Sequence, residues 1–60
     1  MIYPKEFEQL MESFQTLPGI GEKSSERYVY AIDSLELEKV ESFAKNLLEF
    51  KRNIKLSHLQ

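Results

Sequence analysis

Sixty residues allow one small domain at most, and a chain this short hides only about 60% of the surface its unfolded form exposes. The absence of cysteine and the single histidine, His58, exclude disulfides, thiolate metal sites and histidine-rich metal clusters as stabilising devices. A net charge of −2 excludes a uniformly basic nucleic-acid coat, so any contact with phosphates must be local.

Apolar residues at 42% and charged residues at 30% describe a globular chain rather than a disordered one. No apolar run reaches the length of a membrane span, and the first residues lack the basic-then-apolar shape of a signal peptide. A cytoplasmic protein with no membrane partner is therefore expected. Three amphipathic stretches with helical periodicity follow, and the expected fold class is all-α.

The first stretch runs roughly from Pro4 to Gln15, with Phe7, Leu10, Met11 and Phe14 at steps of three and four. Pro4 suits a first helical turn, and Glu6 and Glu8 complement the positive end of the helix dipole. Pro18, Gly19 and Gly21 then break the pattern. The second stretch, about Glu22 to Ile32, places Tyr28, Ala31, Ile32 and Leu35 toward one side, which makes Tyr28 a core residue. Tyr30, on the other side, is the better candidate for stacking on a base. Asp33 followed by Glu36 has capping-box spacing for a third helix. That helix, Leu37 to Asn53, carries Val40, Phe43, Ala44, Leu47, Leu48 and Phe50. Its apolar face is wider than one small neighbour covers, which predicts more than one packing partner. Residues 54–60 show no pattern, and His58 among them is expected to be solvated.

The chemistry concentrates in Leu17-Pro18-Gly19-Ile20-Gly21-Glu22-Lys23-Ser24. Pro18 presets a turn, and the two glycines reach backbone angles closed to other residues. Leu17 and Ile20, apolar in a loop, are expected to plug back between the flanking helices. Such a turn aims the first amides of the second helix at one point, where unpaired N–H groups and the helix dipole favour an anion. Gly19, Ile20 and Gly21 would supply that backbone cradle and Ser24 a hydroxyl donor. Lys23 and Arg27, four apart and hence on one face, would take a second phosphate. Nothing in this set reads base edges, so the contact would be blind to sequence. A bare Gly-x-Gly is only a turn; the flanking Leu-Pro and Lys-Ser make this string specific. Glu22 and Glu26 beside the cations oppose their charge and predict weak, salt-sensitive binding by a single copy.

This string resembles the helix-hairpin-helix DNA-binding motif. Its wording, Leu17-Pro18-Gly19-Ile20-Gly21-Glu22-Lys23-Ser24-Ser25-Glu26-Arg27, resembles the N-terminal domain of the bacterial recombination mediator RecR. Tyr3-Pro4 near the start and the basic segment Lys51-Arg52-Asn53-Ile54-Lys55 agree with it. The resemblance implies a helix-hairpin-helix domain over residues 1–55, with 56–60 leading into a longer protein. It further implies a zinc finger and a Toprim domain beyond, ring-shaped tetramers that encircle DNA, and the partners RecO and, in many bacteria, RecF. The basic positions of the family motif fall on Lys23 and Arg27, and subunit pairing through helix faces would use the third helix. Two departures stand out. Ser57-His58-Leu59-Gln60 occupies the place of the finger's first Cys-x-x-Cys, so this chain is expected to hold no cofactor or zinc of its own. Ser25 and Glu26 replace small and neutral residues.

Catalysis is not expected, because no nucleophile stands near a base and no carboxylate pair or metal cluster has a role. The other readings of these residues are an interaction domain that pairs subunits or recruits a repair partner, and a helix-hairpin-helix from another repair protein, such as a nuclease subunit, a ligase or a Holliday-junction binder.

Overall fold

The computed structural model describes residues 3–53, which form three helices and the turns between them. Helix α1 spans Lys5–Gln15, α2 Glu22–Asp33 and α3 Leu37–Asn53. The all-α expectation holds, and each helix lies within a residue or two of its expected place. Residues 54–60, including His58 and the 56–60 tail, lie outside the described residues.

The first two helices make an antiparallel-style hairpin, and among the described residues extensive helix–helix packing is confined to this pair. Pro4 stands one position earlier than its expected place, as the residue capping α1, with its carbonyl accepting from the N–H of Glu8 at 3.1 Å. From α1, Met11 is buried, while Phe7, Leu10 and Phe14 are partly buried beside it. From α2, the inward stripe is Ser25, Val29 and Ile32, of which Val29 is only 4% exposed and Ser25 fully enclosed. Burying side chains the size of Met11 and Val29 stabilises by about 1.5–3 kcal/mol each, which leaves a domain with a small margin.

This arrangement corrects the expected inner face of α2. Tyr28 and Leu35 are 46% and 44% exposed, and Ala31 is exposed as well. Tyr28 is thus not a core residue. Tyr28 and Tyr30 flank Val29 on either side, since successive residues turn about 100° around a helix. Each ring lies over an edge of the seam: Tyr28 tilts against Phe14 at 5.4 Å, and Tyr30 meets Phe7 edge-on at 5.1 Å. Tyr30 is therefore not free on the far side; its ring closes one flank of the hairpin. Tyr3 extends that flank, stacked on Phe7 at 4.4 Å with the planes 5° apart.

Ser25 explains how the helices come so close. Its side chain occupies little space at the crossing, and its hydroxyl donates to the Glu22 carbonyl at 2.8 Å. The same oxygen accepts from Gln15 Nε2 at 3.1 Å, which joins the end of α1 to the start of α2. Hydropathy passes over such a residue, although it is the most completely enclosed in the hairpin.

The link from α2 to α3 is not a capping box. Asp33 is the last residue of α2 rather than the cap of α3. Ser34 ends that helix, with its hydroxyl donating back to the Ala31 carbonyl at 2.9 Å. Helix α3 instead starts from Glu36, whose carbonyl accepts from the N–H groups of Lys39 and Val40 at 2.9 and 3.1 Å.

Along α3, Val40 is partly buried and every other residue is exposed. Leu37 reaches 71% exposure, and Phe43, Leu47, Leu48 and Phe50 stand about half open to solvent. The broad apolar face is present as expected, but among the described residues it lacks the several partners it was expected to meet. The Cα radius of gyration, 13.6 Å, exceeds the value of about 10 Å expected for a compact chain of this size.

Candidate nucleic-acid interface

The turn between α1 and α2 is built from Leu17-Pro18-Gly19-Ile20. The N–H of Ile20 donates to the Leu17 carbonyl at 3.3 Å, closing a four-residue turn. Gly19 has φ of +85°, and Pro precedes it, which is the signature of a type II turn. A side chain at Gly19 would be strained by the backbone angle alone. Ile20 is partly buried and plugs back as expected, whereas Leu17 is half exposed. Leu17 lines a shallow apolar depression with Phe14, Ile20, Tyr28, Ile32 and Phe43 of α3.

Gly21 has a different explanation. It caps α2 with φ −93° and ψ −168°, extended backbone that other residues adopt readily. A Cβ added there would meet no atom of the chain within 4 Å. Neither backbone angle nor internal crowding demands glycine at this position. What its missing side chain leaves open is the outer approach to the first turn of α2.

That first turn presents unpaired donors. The N–H of Ser25 bonds to the Gly21 carbonyl at 3.0 Å, and no side chain caps the helix. The N–H groups of Glu22, Lys23 and Ser24 therefore have no partner among the described residues. The positive end of the dipole of the 12-residue helix α2 coincides with these donors.

The cations lie beside them. Lys23 and Arg27 are both exposed, on the side of α2 turned away from the Ser25–Val29 seam. Their spacing of four places the Cβ atoms about 6 Å apart. Neither side chain makes a side-chain hydrogen bond among the described residues. Ser24, next to Lys23 in the first turn of α2, is partly buried. Six positions singled out from the sequence, Gly19, Ile20, Gly21, Lys23, Ser24 and Arg27, thus fall in the turn and the first two turns of one helix.

Glu26 is partly buried, and its Oε2 accepts a short hydrogen bond from the Tyr3 hydroxyl. That hydrogen bond, with partial burial and the nearby charges of Glu26 and Glu22, pushes the Tyr3 phenol up to about 12. The carboxylate expected to sit among the cations is instead held on the aromatic flank. Sequence inspection missed this tie, because the partners are 23 residues apart and Tyr3 lies outside the motif.

Comparison with known proteins agrees with the motif. The family model described as RecR, helix-hairpin-helix, matches residues 7–51. Recombination protein RecR of Lactococcus lactis subsp. cremoris is 44% identical over 55 residues, 92% of this chain and 28% of that protein. Recombination protein RecR of Streptococcus thermophilus is 44% identical over 54 residues, covering 90% of this chain and 27% of that protein. The same protein of Streptococcus mutans serotype c gives the same identity and coverage. The chain thus spans little more than a quarter of the length of these curated relatives. No solved structure matches it. With a helix-hairpin-helix observed and the family match covering most of its length, the chain belongs to the RecR helix-hairpin-helix family.

Proposed function

We propose that this chain is a non-catalytic, sequence-independent DNA-binding and subunit-pairing module of a RecR-like recombination and repair mediator. The observation that carries this is the turn at Gly19–Gly21, open on its outer side and followed by unpaired amides with Lys23 and Arg27 beside them. A backbone phosphate would take the amides at Gly21–Ser24, and a neighbouring phosphate the two cations, with Ser24 adding a hydroxyl. Contacts of this kind position DNA and carry no sequence information, so single- and double-stranded DNA are both candidate ligands.

One copy offers few contacts, and the chain as a whole is acidic. Useful affinity would come from repetition around an oligomer, in which each further contact is intramolecular. On this reading the chain works in a cytoplasmic assembly whose partners, by resemblance to the family, would be RecO and, in many bacteria, RecF. Any zinc would belong to a following domain rather than to these residues.

The test replaces Lys23→Ala together with Arg27→Ala in the full-length parent protein. Affinity for a short DNA should fall about ten-fold or more at low salt, since hydrogen bonds to charged groups contribute about 1.5–3 kcal/mol each. The helical circular-dichroism signal should not change, because both side chains are exposed. Unchanged DNA binding by the double variant rejects the grip.

A second reading, an interaction domain with little DNA binding of its own, draws on the open apolar face of α3. Sedimentation at several concentrations separates the two. A tight assembly indifferent to DNA supports pairing alone, and a monomer that binds DNA supports the grip alone.

A further inference from the structure

Lys23 lies three residues before Glu26 on α2, and Arg27 directly follows it. Residues three apart on a helix are surface neighbours, so an untied Glu26 carboxylate lies within reach of the Lys23 ammonium. In that position it would compete with a phosphate for the cation and repel the phosphate as well. The structure shows the carboxylate elsewhere, taken by the Tyr3 hydroxyl. Tyr3 is itself fixed by its stack on Phe7, and Phe7 by the edge of Tyr30. The tie therefore connects the chain ahead of α1 to the middle of α2.

We propose that Tyr3 is a positioning residue for DNA binding: its hydroxyl holds the Glu26 carboxylate on the aromatic flank and keeps Lys23 free for phosphate. The proposal rests on the phosphate grip described above and assigns it a component outside the motif. It also accounts for how an acidic residue is accommodated inside the binding helix. The high phenol pKa keeps the donor protonated throughout the neutral range.

The test compares four forms of the full-length parent protein for binding to one short DNA at low salt. They are the wild type, Tyr3→Phe, Glu26→Gln and the double variant Tyr3→Phe with Glu26→Gln. Phenylalanine keeps the ring that stacks on Phe7, and circular dichroism checks that the helices remain. Tyr3→Phe should weaken DNA binding about two- to five-fold per engaged domain, the worth of an exposed ion pair set against the phosphate. Glu26→Gln should bind at least as well as the wild type, and adding Tyr3→Phe to it should change nothing. That dependence on Glu26 separates positioning from a structural role, which would weaken both backgrounds alike. Raising the salt should shrink the Tyr3→Phe effect.

Equal binding by Tyr3→Phe and wild type overturns the proposal, and so does an equal loss in the Glu26→Gln background. The Lys23→Ala, Arg27→Ala variant serves as the control. If it binds normally, the grip and the positioning role fall together. If it loses binding while Tyr3→Phe does not, the grip stands and only the positioning role falls.

Discussion

The hairpin of α1 and α2 and the lone helix α3 have similar amphipathic sequences, yet only the hairpin satisfies itself. In the hairpin, Met11 and Val29 are buried, and Phe7 and Phe14 are shielded by the two tyrosines. On α3 five large apolar side chains remain about half exposed or more. The difference lies in the connections. The turn at 17–20 reverses the chain and lays α2 back on α1, while the link at Ser34–Glu36 carries α3 away after Val40. An amphipathic pattern thus states that a face needs covering but not that the same chain covers it.

The comparison breaks most severely at the seam. Val29→Asp places a charge without a partner in the hairpin, at a cost of about 4 kcal/mol or more. A domain of this size should lose its helical signal outright. Leu48→Asp on α3 should leave the helical signal of a single copy in place and abolish the proposed self-association, read by sedimentation. Equal damage from both substitutions would show that α3 is as integral to the fold as the seam.

Within the hairpin, Gly19→Ala should destabilise by about 1–2 kcal/mol, because φ of +85° penalises a Cβ. Thermal melting of the parent's N-terminal region reads it directly. Ser25→Ala sharpens the picture further. It removes the hydrogen bonds to Glu22 and Gln15 without steric change and should cost about 1 kcal/mol. No loss would mean that shape alone, and not the bonds, brings the helices together.

The smallest effect is alkaline. Tyr3 gains its hydrogen bond as the neutral phenol, so its folded pKa of about 12 lies above the ordinary value of 10. Its contribution to stability is complete below pH 10 and is lost as the pH rises from 10 through about 12. In an absorbance titration Tyr3 should ionise above the ordinary phenol range, and in Glu26→Gln its ionisation should move back toward that range.

Much of this fold is legible in the residues. Periodicity locates all three helices, and Pro18 with Gly19 locates the reversal. The inner face of α2 is not legible, for a specific reason. Ranking by hydropathy favours Tyr28 and Leu35 and discards Ser25, but close approach of two helices selects a small residue at the crossing and sends large rings to the flanks. The turn and the start of α2, from Gly19 to Arg27, where the proposed grip would lie, are legible because they are local. The tie between Tyr3 and Glu26 is not legible, because contacts between distant positions leave no periodic trace. Asp33 and Glu36 show the opposite failure, a short spacing rule that the helix ends do not follow.

Gly19 and Gly21 offer the most direct test of the grip, since the first serves the fold and the second is left free by it. Gly21→Ala in the full-length parent should be assayed for melting temperature and DNA affinity in one preparation. The phosphate grip predicts stability within about 1 kcal/mol of wild type, as the added Cβ meets nothing in the chain. It also predicts DNA affinity lowered about ten-fold or more, as that Cβ obstructs the approach to the amides of α2. A stable Gly21→Ala protein that binds DNA as well as the wild type contradicts it.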